Sequence, residues 1–188
     1  MRKLILLALL AIICSFEKAQ SQDYRAFKFD LGLGYAIPSD GTGTQGGVTF
    51  TLQPHYRLSD DFALGLRVEA AAIGYKDNTT GNINVSALAS TCISGEYYLS
   101  KGGFRPFIGA GLGLFDQESF SGNTNSSNNN SGGGGVSESQ RTINFGAYPV
   151  VGFELGHFRM SAEYDFTGNG NNYAAFKIGT FFGGGKKK

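Results

Sequence analysis

The strongest constraint on this sequence is a two-residue alternation of apolar and polar side chains that runs through most of the chain after residue 22. In residues 27–37 every second side chain is large and apolar, and the intervening ones are charged or small. Successive side chains of a β-strand point to opposite faces, so this period predicts strands with one apolar and one polar face. Seven further tracts repeat the pattern, at residues 48–57, 62–75, 83–99, 104–115, 142–155, 158–166 and 173–182. We therefore predict eight strands.

The connections between the predicted strands alternate between short and long. Tight turns follow the second, fourth and sixth strands, at residues 58–61, 100–103 and 156–157. The other connections are longer and rich in Gly, Asn and Ser, the longest being residues 116–139. Short turns at one end and long loops at the other are typical of bacterial outer-membrane barrels. The fold class predicted is all-β: an eight-stranded antiparallel up-and-down transmembrane β-barrel.

Charged residues within the alternating parts of the strands all have the phase of the polar face. They are six cations and six anions: Lys28, Arg57, Arg67, Arg105, Arg159 and Lys177, with Asp30, Glu69, Glu96, Glu154, Glu163 and Asp165. A cation on a lipid-facing wall near the bilayer centre costs about 2–4 kcal/mol, so lipid contact explains this exclusion. A soluble barrel with an apolar lumen would also carry charges on its other face, so the phase alone leaves both alternatives open.

Aromatic and glycine positions favour the membrane alternative. The apolar face has one aromatic beside the short turns in each strand: Phe27, Tyr56, Phe62, Tyr97, Phe104, Phe153, Phe158 and Phe182. Such a girdle is expected at a membrane interface. The polar face is rich in glycine, as the crowded interior of a small closed barrel requires. The apolar face is therefore predicted to face lipid, and the charges to face the lumen.

The two ends of the chain are predicted to lie outside the barrel. Residues 1–21 have the pattern of a signal peptide, with Arg2 and Lys3 before an apolar run at residues 4–13 and small residues at 19 and 21. That run is too short to span a bilayer. The barrel is then expected to occupy residues 22–182, and residues 183–188 to form a flexible periplasmic tail.

The strand and turn pattern resembles that of small outer-membrane barrels of the outer membrane protein A/X and opacity-protein type. The resemblance covers residues 27–182 and includes the segment 104–113 and a last strand that ends in the aromatic Phe182. It implies residence in the outer membrane and contact with lipid and lipopolysaccharide. It also implies recognition of the last strand by the barrel-assembly machinery. Members of this group differ in function, so the resemblance implies no particular activity.

The lumen charges are the candidate functional residues. An eight-strand lumen is only wide enough for side chains to fill it, and buried charges without partners are costly. Equal numbers of cations and anions therefore predict a paired network that plugs the barrel. The alternative is a narrow path for small solutes between these charges.

Catalysis is not expected. The only histidines are His55 and His157, and both are predicted near the short turns, far from the long loops where surface enzymes bind substrate. The glycines of residues 109–113 continue a strand and precede no helix, so they do not form a dinucleotide-binding motif. Nothing in the sequence resembles a metal or cofactor site. A net charge of +1 gives no reason to expect nucleic acid as a partner.

The sequence therefore predicts a monomeric outer-membrane barrel that is not an enzyme. Its expected role is structural or surface-interactive, in envelope integrity or adhesion, with the long loops available to an extracellular protein partner. A small-solute channel is the alternative, and a surface hydrolase is the least favoured class.

Overall fold

The computed structural model describes residues 23–39, 44–76, 83–120, 141–168 and 171–187. These ranges contain eight strands: β1 (Phe27–Pro38), β2 (Thr44–Arg57), β3 (Phe62–Lys76), β4 (Ile83–Tyr98), β5 (Phe104–Phe120), β6 (Arg141–Leu155), β7 (Phe158–Asp165) and β8 (Tyr173–Gly183). Each strand pairs antiparallel with its neighbours in chain order, and β8 pairs with β1 to close the barrel. The predicted fold class is confirmed. No helix that could span a membrane occurs in the described ranges.

The outer wall of the barrel is apolar all round. Side chains such as Val48, Ile93 and Phe145, on three different strands, are 65–70% exposed. Soluble proteins rarely leave a continuous apolar surface of this kind in water. Six of the eight aromatics predicted beside the short turns are exposed large side chains on this wall: Phe27, Tyr56, Tyr97, Phe104, Phe158 and Phe182. The wall is therefore suited to lipid, with an aromatic belt at its short-turn end.

Strands β5 and β6 extend further than the sequence predicted. Residues 116–120, expected in the longest loop, continue β5, and β6 begins at Arg141. Arg141 binds Asp116 through two of its nitrogens, with Nε 2.9 Å from Oδ2. The polar segment 116–120 has no apolar alternation to reveal a strand, and its backbone pairing with β4 and β6 extends the strand instead. The remaining loop residues, 121–140, lie outside the described part of the chain.

The extension adds strand charges that lie outside the alternating tracts to which the lumen prediction applied. Asp116 and Glu118 have the outward phase of Leu114 and line a groove on the outer wall. Arg141 pairs with Glu118 in the β5–β6 register and is largely exposed. All three lie toward the long-loop ends of β5 and β6, where charge is tolerated because it reaches the headgroups or water. The phase prediction covered only the alternating parts of the strands, and these three residues lie outside them.

The C-terminal segment differs from the expected flexible tail. Gly183 belongs to β8, and residues 184–187 pair with residues 23–25: the Arg25 N–H donates to Gly185 O at 3.0 Å, and the Lys187 N–H to Asp23 O at 2.6 Å. Gly183 and Gly184 have φ of +74° and +59°, a conformation that favours glycine and turns the chain across the barrel end. The predicted signal peptide lies outside the described residues and remains a prediction.

The close contact between β1 and β8 allows a test of how tightly the strands of the wall pack. A Cβ at Gly179 would lie 2.0 Å from Leu31 O, whereas a Cβ at its register partner Gly32 would have nothing nearer than 3.8 Å. We expect Gly179→Ala to lower the free energy of unfolding by about 1–3 kcal/mol, because the strands must separate. Gly32→Ala should have a much smaller effect. Urea unfolding in lipid vesicles compares them, and equal effects would contradict this packing.

Candidate functional site

All twelve predicted lumen charges lie inside the barrel, and none is more than 8% exposed. Each of the eight strands contributes at least one of them. They form two layers along the barrel axis. The turn-side layer, nearer the short turns, comprises Lys28, Asp30, Arg57, Glu96, Arg105, Glu154 and Arg159. The loop-side layer comprises Arg67, Glu69, Glu163, Asp165 and Lys177.

Arg67 is the centre of the loop-side layer. Its guanidinium donates to Glu163 Oε1 at 2.5 Å and to Asp165 Oδ1 at 2.6 Å, and its Nη1 lies 3.7 Å from Glu69 Oε2. One face of the guanidinium lies over the ring of Tyr148, 3.5 Å from the ring centroid. Lys177 binds both Glu69 and Glu163. Two cations therefore hold three carboxylates.

The same arrangement bears on whether the three carboxylates could bind a metal ion. Glu69, Glu163 and Asp165 are close enough together to share a metal ion. The guanidinium of Arg67 and the ammonium of Lys177 already occupy the space between them. Glu69 also accepts hydrogen bonds from Tyr173, at 2.7 Å, and Thr51, at 2.9 Å. The cluster is therefore arranged as an internal salt-bridge network.

Glu154 has the same central position in the turn-side layer. Its Oε1 accepts from Lys28 Nζ at 2.5 Å, from Arg159 Nη1 at 3.0 Å and from the hydroxyl of Tyr98 at 3.0 Å. Arg159 also donates to Glu96 at 2.5 Å, so it connects β7 to β4 across the lumen. Cross-lumen pairs of this kind fix the distance between opposite walls of the barrel.

Very little space remains between the layers. A cavity of about 30 Å³ separates Asp30, Glu96 and Arg159 from Glu163 and Lys177. A space of this size is sufficient for ordered water and far smaller than a typical ligand pocket. Nearer the loops, the lumen is filled by a buried apolar cluster: Ala36, Ala71, Ile73, Leu88, Tyr173 and Ala175. In the described residues, the lumen is thus filled at three successive levels.

Aromatic side chains inside the lumen were not identified from the sequence as part of the site. Tyr148 and Phe107 point inward, and each lies against a glycine of a neighbouring strand. A Cβ at Gly111 would come within 2.3 Å of the Tyr148 ring, and one at Gly152 within 2.6 Å of the Phe107 ring. Strand phase combined with these glycines is the sequence signal that could have located the rings.

The two histidines lie at the short-turn end, as predicted, in different surroundings. His55 is buried in the lumen, and its Nε2 is 3.0 Å from Asp30 Oδ2. His157 is exposed in the turn between β6 and β7, and its Nδ1 is 2.9 Å from the carbonyl oxygen of Phe181. Their polar neighbours are therefore a carboxylate and a backbone carbonyl.

Comparison with known proteins identifies the fold. No protein-family model and no curated protein matches the sequence. Among solved structures, Neisserial surface protein A (NspA) matches with a TM-score of 0.55 and 19% identity, covering 84% of this chain and 96% of that one. The attachment invasion locus protein Ail of Yersinia pestis, solved with the heparin analogue sucrose octasulfate, matches with a TM-score of 0.54 and 11% identity. That match covers 86% of this chain and 99% of Ail.

A closed eight-strand barrel with an apolar outer wall and a charge-filled lumen belongs to the class of small integral outer-membrane barrels. Within that class, the chain has the fold of the outer membrane protein A/X type, as the sequence resemblance implied. The predicted outer-membrane location follows from this fold and its lipid-facing wall.

Proposed function

We propose that this protein is a closed barrel with a structural or surface-interaction role, in envelope integrity or adhesion. The observation that carries the proposal is the filling of the lumen by two layers of ion pairs with only about 30 Å³ between them. A solute could pass only after several buried pairs separated, and each separation leaves desolvated charge without a partner. A rigid closed wall leaves the loops as the place where function can reside.

The charges of the loop segments favour a protein partner over a sulfated glycan. In the sequence, the long connections and the residues beside them contain five acidic residues, Asp40, Asp77, Asp116, Glu118 and Glu138, and two basic ones, Lys76 and Arg141. Ail, with the same fold, was solved with a heparin analogue. An excess of negative charge repels sulfate groups, so we expect this chain to select neutral or basic protein surfaces instead.

Proteoliposomes test the closed lumen. We expect vesicles containing the wild-type barrel to swell in salt and small-sugar solutions no faster than vesicles without protein. Swelling that depends on the amount of folded barrel would favour the alternative of a narrow solute channel and would contradict the proposal.

Adhesion and detergent resistance, measured in cells that lack the protein and in cells with a replaced loop, distinguish the two roles. Replacing residues 122–139 by a short Gly/Ser linker should abolish adhesion if the loops bind a partner, while leaving detergent resistance intact. If the role is structural, deletion of the whole chain should lower detergent resistance and the loop replacement should not. No change in either property on deletion would contradict the proposal.

We also propose that the chain is not an enzyme and acts as a monomer, with lipid and lipopolysaccharide around its wall and the assembly machinery as its partner during biogenesis. His55 supports this, because its imidazole lies inside the filled lumen beside Asp30. His55→Gln is expected to change no lipid or peptide cleavage by the purified barrel. Cleavage that the wild type performs and this variant loses would establish a surface hydrolase instead.

A further inference from the structure

The two ends of the described part of the chain meet at the short-turn opening of the lumen. Residues 184–187 lie antiparallel to residues 23–25, and Tyr24 is opposite Lys186. Two backbone hydrogen bonds, of 3.0 and 2.6 Å, flank this pair. The two segments adjoin the end of β8 and the start of β1, which are neighbours in the wall. We refer to residues 23–25 and 184–187 together as the terminal cap.

Tyr24 fixes the cap across the opening. Its backbone N–H donates to Asp60 Oδ1 at 3.2 Å, and its hydroxyl donates to Lys101 O at 2.6 Å. Asp60 lies in the turn between β2 and β3, and Lys101 in the turn between β4 and β5. In a barrel of eight strands in chain order, the β4–β5 turn is opposite the β8–β1 seam, so Tyr24 reaches across the opening. Its ring is buried, with its centroid 4.1 Å from Cζ of Arg105.

The joint between the cap and β8 consists of glycines. Gly183 and Gly184 have positive φ angles, and a Cβ at Gly185 would have no atom within 4 Å. Three successive glycines allow large backbone rotations. Within β8, by contrast, a Cβ at Gly179 would lie 2.0 Å from Leu31 O. A tightly packed strand is therefore joined to the cap by a segment that can rotate.

A cavity of about 310 Å³ lies between the cap, the short turns and the wall. Tyr24 and residues 184–186 line it from the cap, residues 101–103 from a turn, and Glu154 and Phe181 from the wall. The cap thus covers a space instead of packing against a solid core. Little apolar contact is lost when such a segment moves away.

Most side chains of the cap are in solvent. Asp23, Arg25, Lys186 and Lys187 are exposed, whereas Tyr24 is buried. Backbone hydrogen bonds and this single tyrosine therefore supply most of the stabilisation of the closed position. Segments with few buried apolar contacts and exposed backbone hydrogen bonds open locally at a lower free energy than the surrounding wall.

We propose that the terminal cap is a lid that opens and closes as one unit while the wall of the barrel stays folded. The open lid admits water and small molecules from the periplasm, which the short-turn end faces in the predicted orientation, as far as the turn-side layer. That layer holds four cations and three carboxylates, and its ion pairs remain as the barrier to passage. The lid therefore controls the exposure of the lumen charges without opening a channel, whatever the loops bind.

Hydrogen exchange of backbone amides, followed by NMR on the folded mature barrel in detergent micelles, tests whether the cap moves as one unit. Tyr24→Phe removes only the hydroxyl that binds Lys101. We expect the amides of Gly184 and Lys187 to exchange about fivefold faster, because one hydrogen bond fewer holds the closed lid. Their acceptors, Phe27 O and Asp23 O, are not altered by the substitution. Amides at the centres of β1 and β8 should exchange as in the wild type.

The control for this experiment is Tyr56→Phe. It removes an exposed hydroxyl from the aromatic belt at the same end of the barrel and should leave the cap amides unchanged. Unchanged exchange of Gly184 and Lys187 in Tyr24→Phe would show that the two segments move independently, and would overturn the proposal. Equally faster exchange at the centres of β1 and β8 would overturn it too, because the cap would then open only together with the wall.

Fluorescence quenching measures what the lid covers. The chain contains no tryptophan, so Phe181→Trp places a single indole beside the cavity, which has room for the larger ring. We expect acrylamide to quench this fluorescence severalfold more strongly when residues 184–188 are deleted than when Lys188 alone is deleted. Equal quenching in the two would show that the cap covers nothing, and would overturn the proposal. If Phe181→Trp does not fold, the exchange experiment decides.

Discussion

Arg67→Met is expected to lower the free energy of unfolding of the barrel by about 3–5 kcal/mol, because removing one partner of a buried ion pair leaves uncompensated buried charge. Glu69 and Glu163 would then keep only Lys177 as a cation, and Asp165 would lose the guanidinium that it binds. Methionine retains most of the side-chain volume, so the loss reports charge more than packing. Urea unfolding in lipid vesicles, followed by gel mobility, measures it.

Two companion variants make this result specific. Arg141→Gln removes an exposed arginine from the outer wall and should unfold near the wild-type urea concentration, since exposed ion pairs contribute little. Asp165→Asn added to Arg67→Met should recover part of the lost stability, because it removes one of the three carboxylates that Arg67 binds. A loss for Arg67→Met no larger than that of Arg141→Gln would show that the loop-side network does not hold the wall.

Glu154→Gln is the second substitution with a large expected effect, and it removes a buried anion instead of a buried cation. The substitution keeps the size of the side chain and an oxygen that can still accept from Tyr98, but it removes a carboxylate that both Lys28 and Arg159 bind. Four cations would then face two carboxylates. We expect a loss of about 3–5 kcal/mol in the free energy of unfolding, measured in the same urea assay.

A second substitution shows whether the lost stability comes from the charge imbalance. Glu154→Gln combined with Arg105→Gln should be more stable than Glu154→Gln alone, since it removes one cation of the excess. The control is Glu118→Gln, at an outward position near the loops, where the change should have little effect. If the double variant is less stable than Glu154→Gln by the full cost of Arg105→Gln, the two residues do not interact and the turn-side layer is not a network.

The fold was predictable from the sequence because a strand period of two leaves a direct trace. Lys28 and Asp30 alternate with Phe27 and Phe29, and the structure places these pairs on opposite faces of β1. The short turns gave the strand order, since a tight connection can only join neighbouring antiparallel strands. The outward belt and the inward charges both follow from the same alternation.

Partners across the lumen were not predictable, because strand phase gives the face of a residue but neither its depth along the barrel nor its orientation. Arg67 on β3 binds residues of β7, almost a hundred positions later in the chain. The separation into two layers with opposite imbalances depends on strand register and tilt, and neither is visible in one sequence. Composition gave only the equality of cations and anions.

The ends of the chain were predicted least well for a related reason. Gly183 and Gly184 suggest flexibility by composition, but their positive φ values and the hydrogen bonds to residues 23–25 make them a closing turn. Tyr24 precedes the alternating tract and carried no pattern of its own. Its contacts with Asp60, Lys101 and Arg105 come from turns and a strand that are distant in the sequence, so only the structure reveals them.

Single-channel recording in planar bilayers tests the central claim, a lumen closed by paired charges, most directly. For the folded wild-type barrel we predict no stable current steps, because a solute could pass only if buried ion pairs of both layers separated. Reproducible steps of one size in the wild type that disappear in Glu154→Gln or Arg67→Met, with both variants verified as folded, would contradict the account and show that these residues line an open channel.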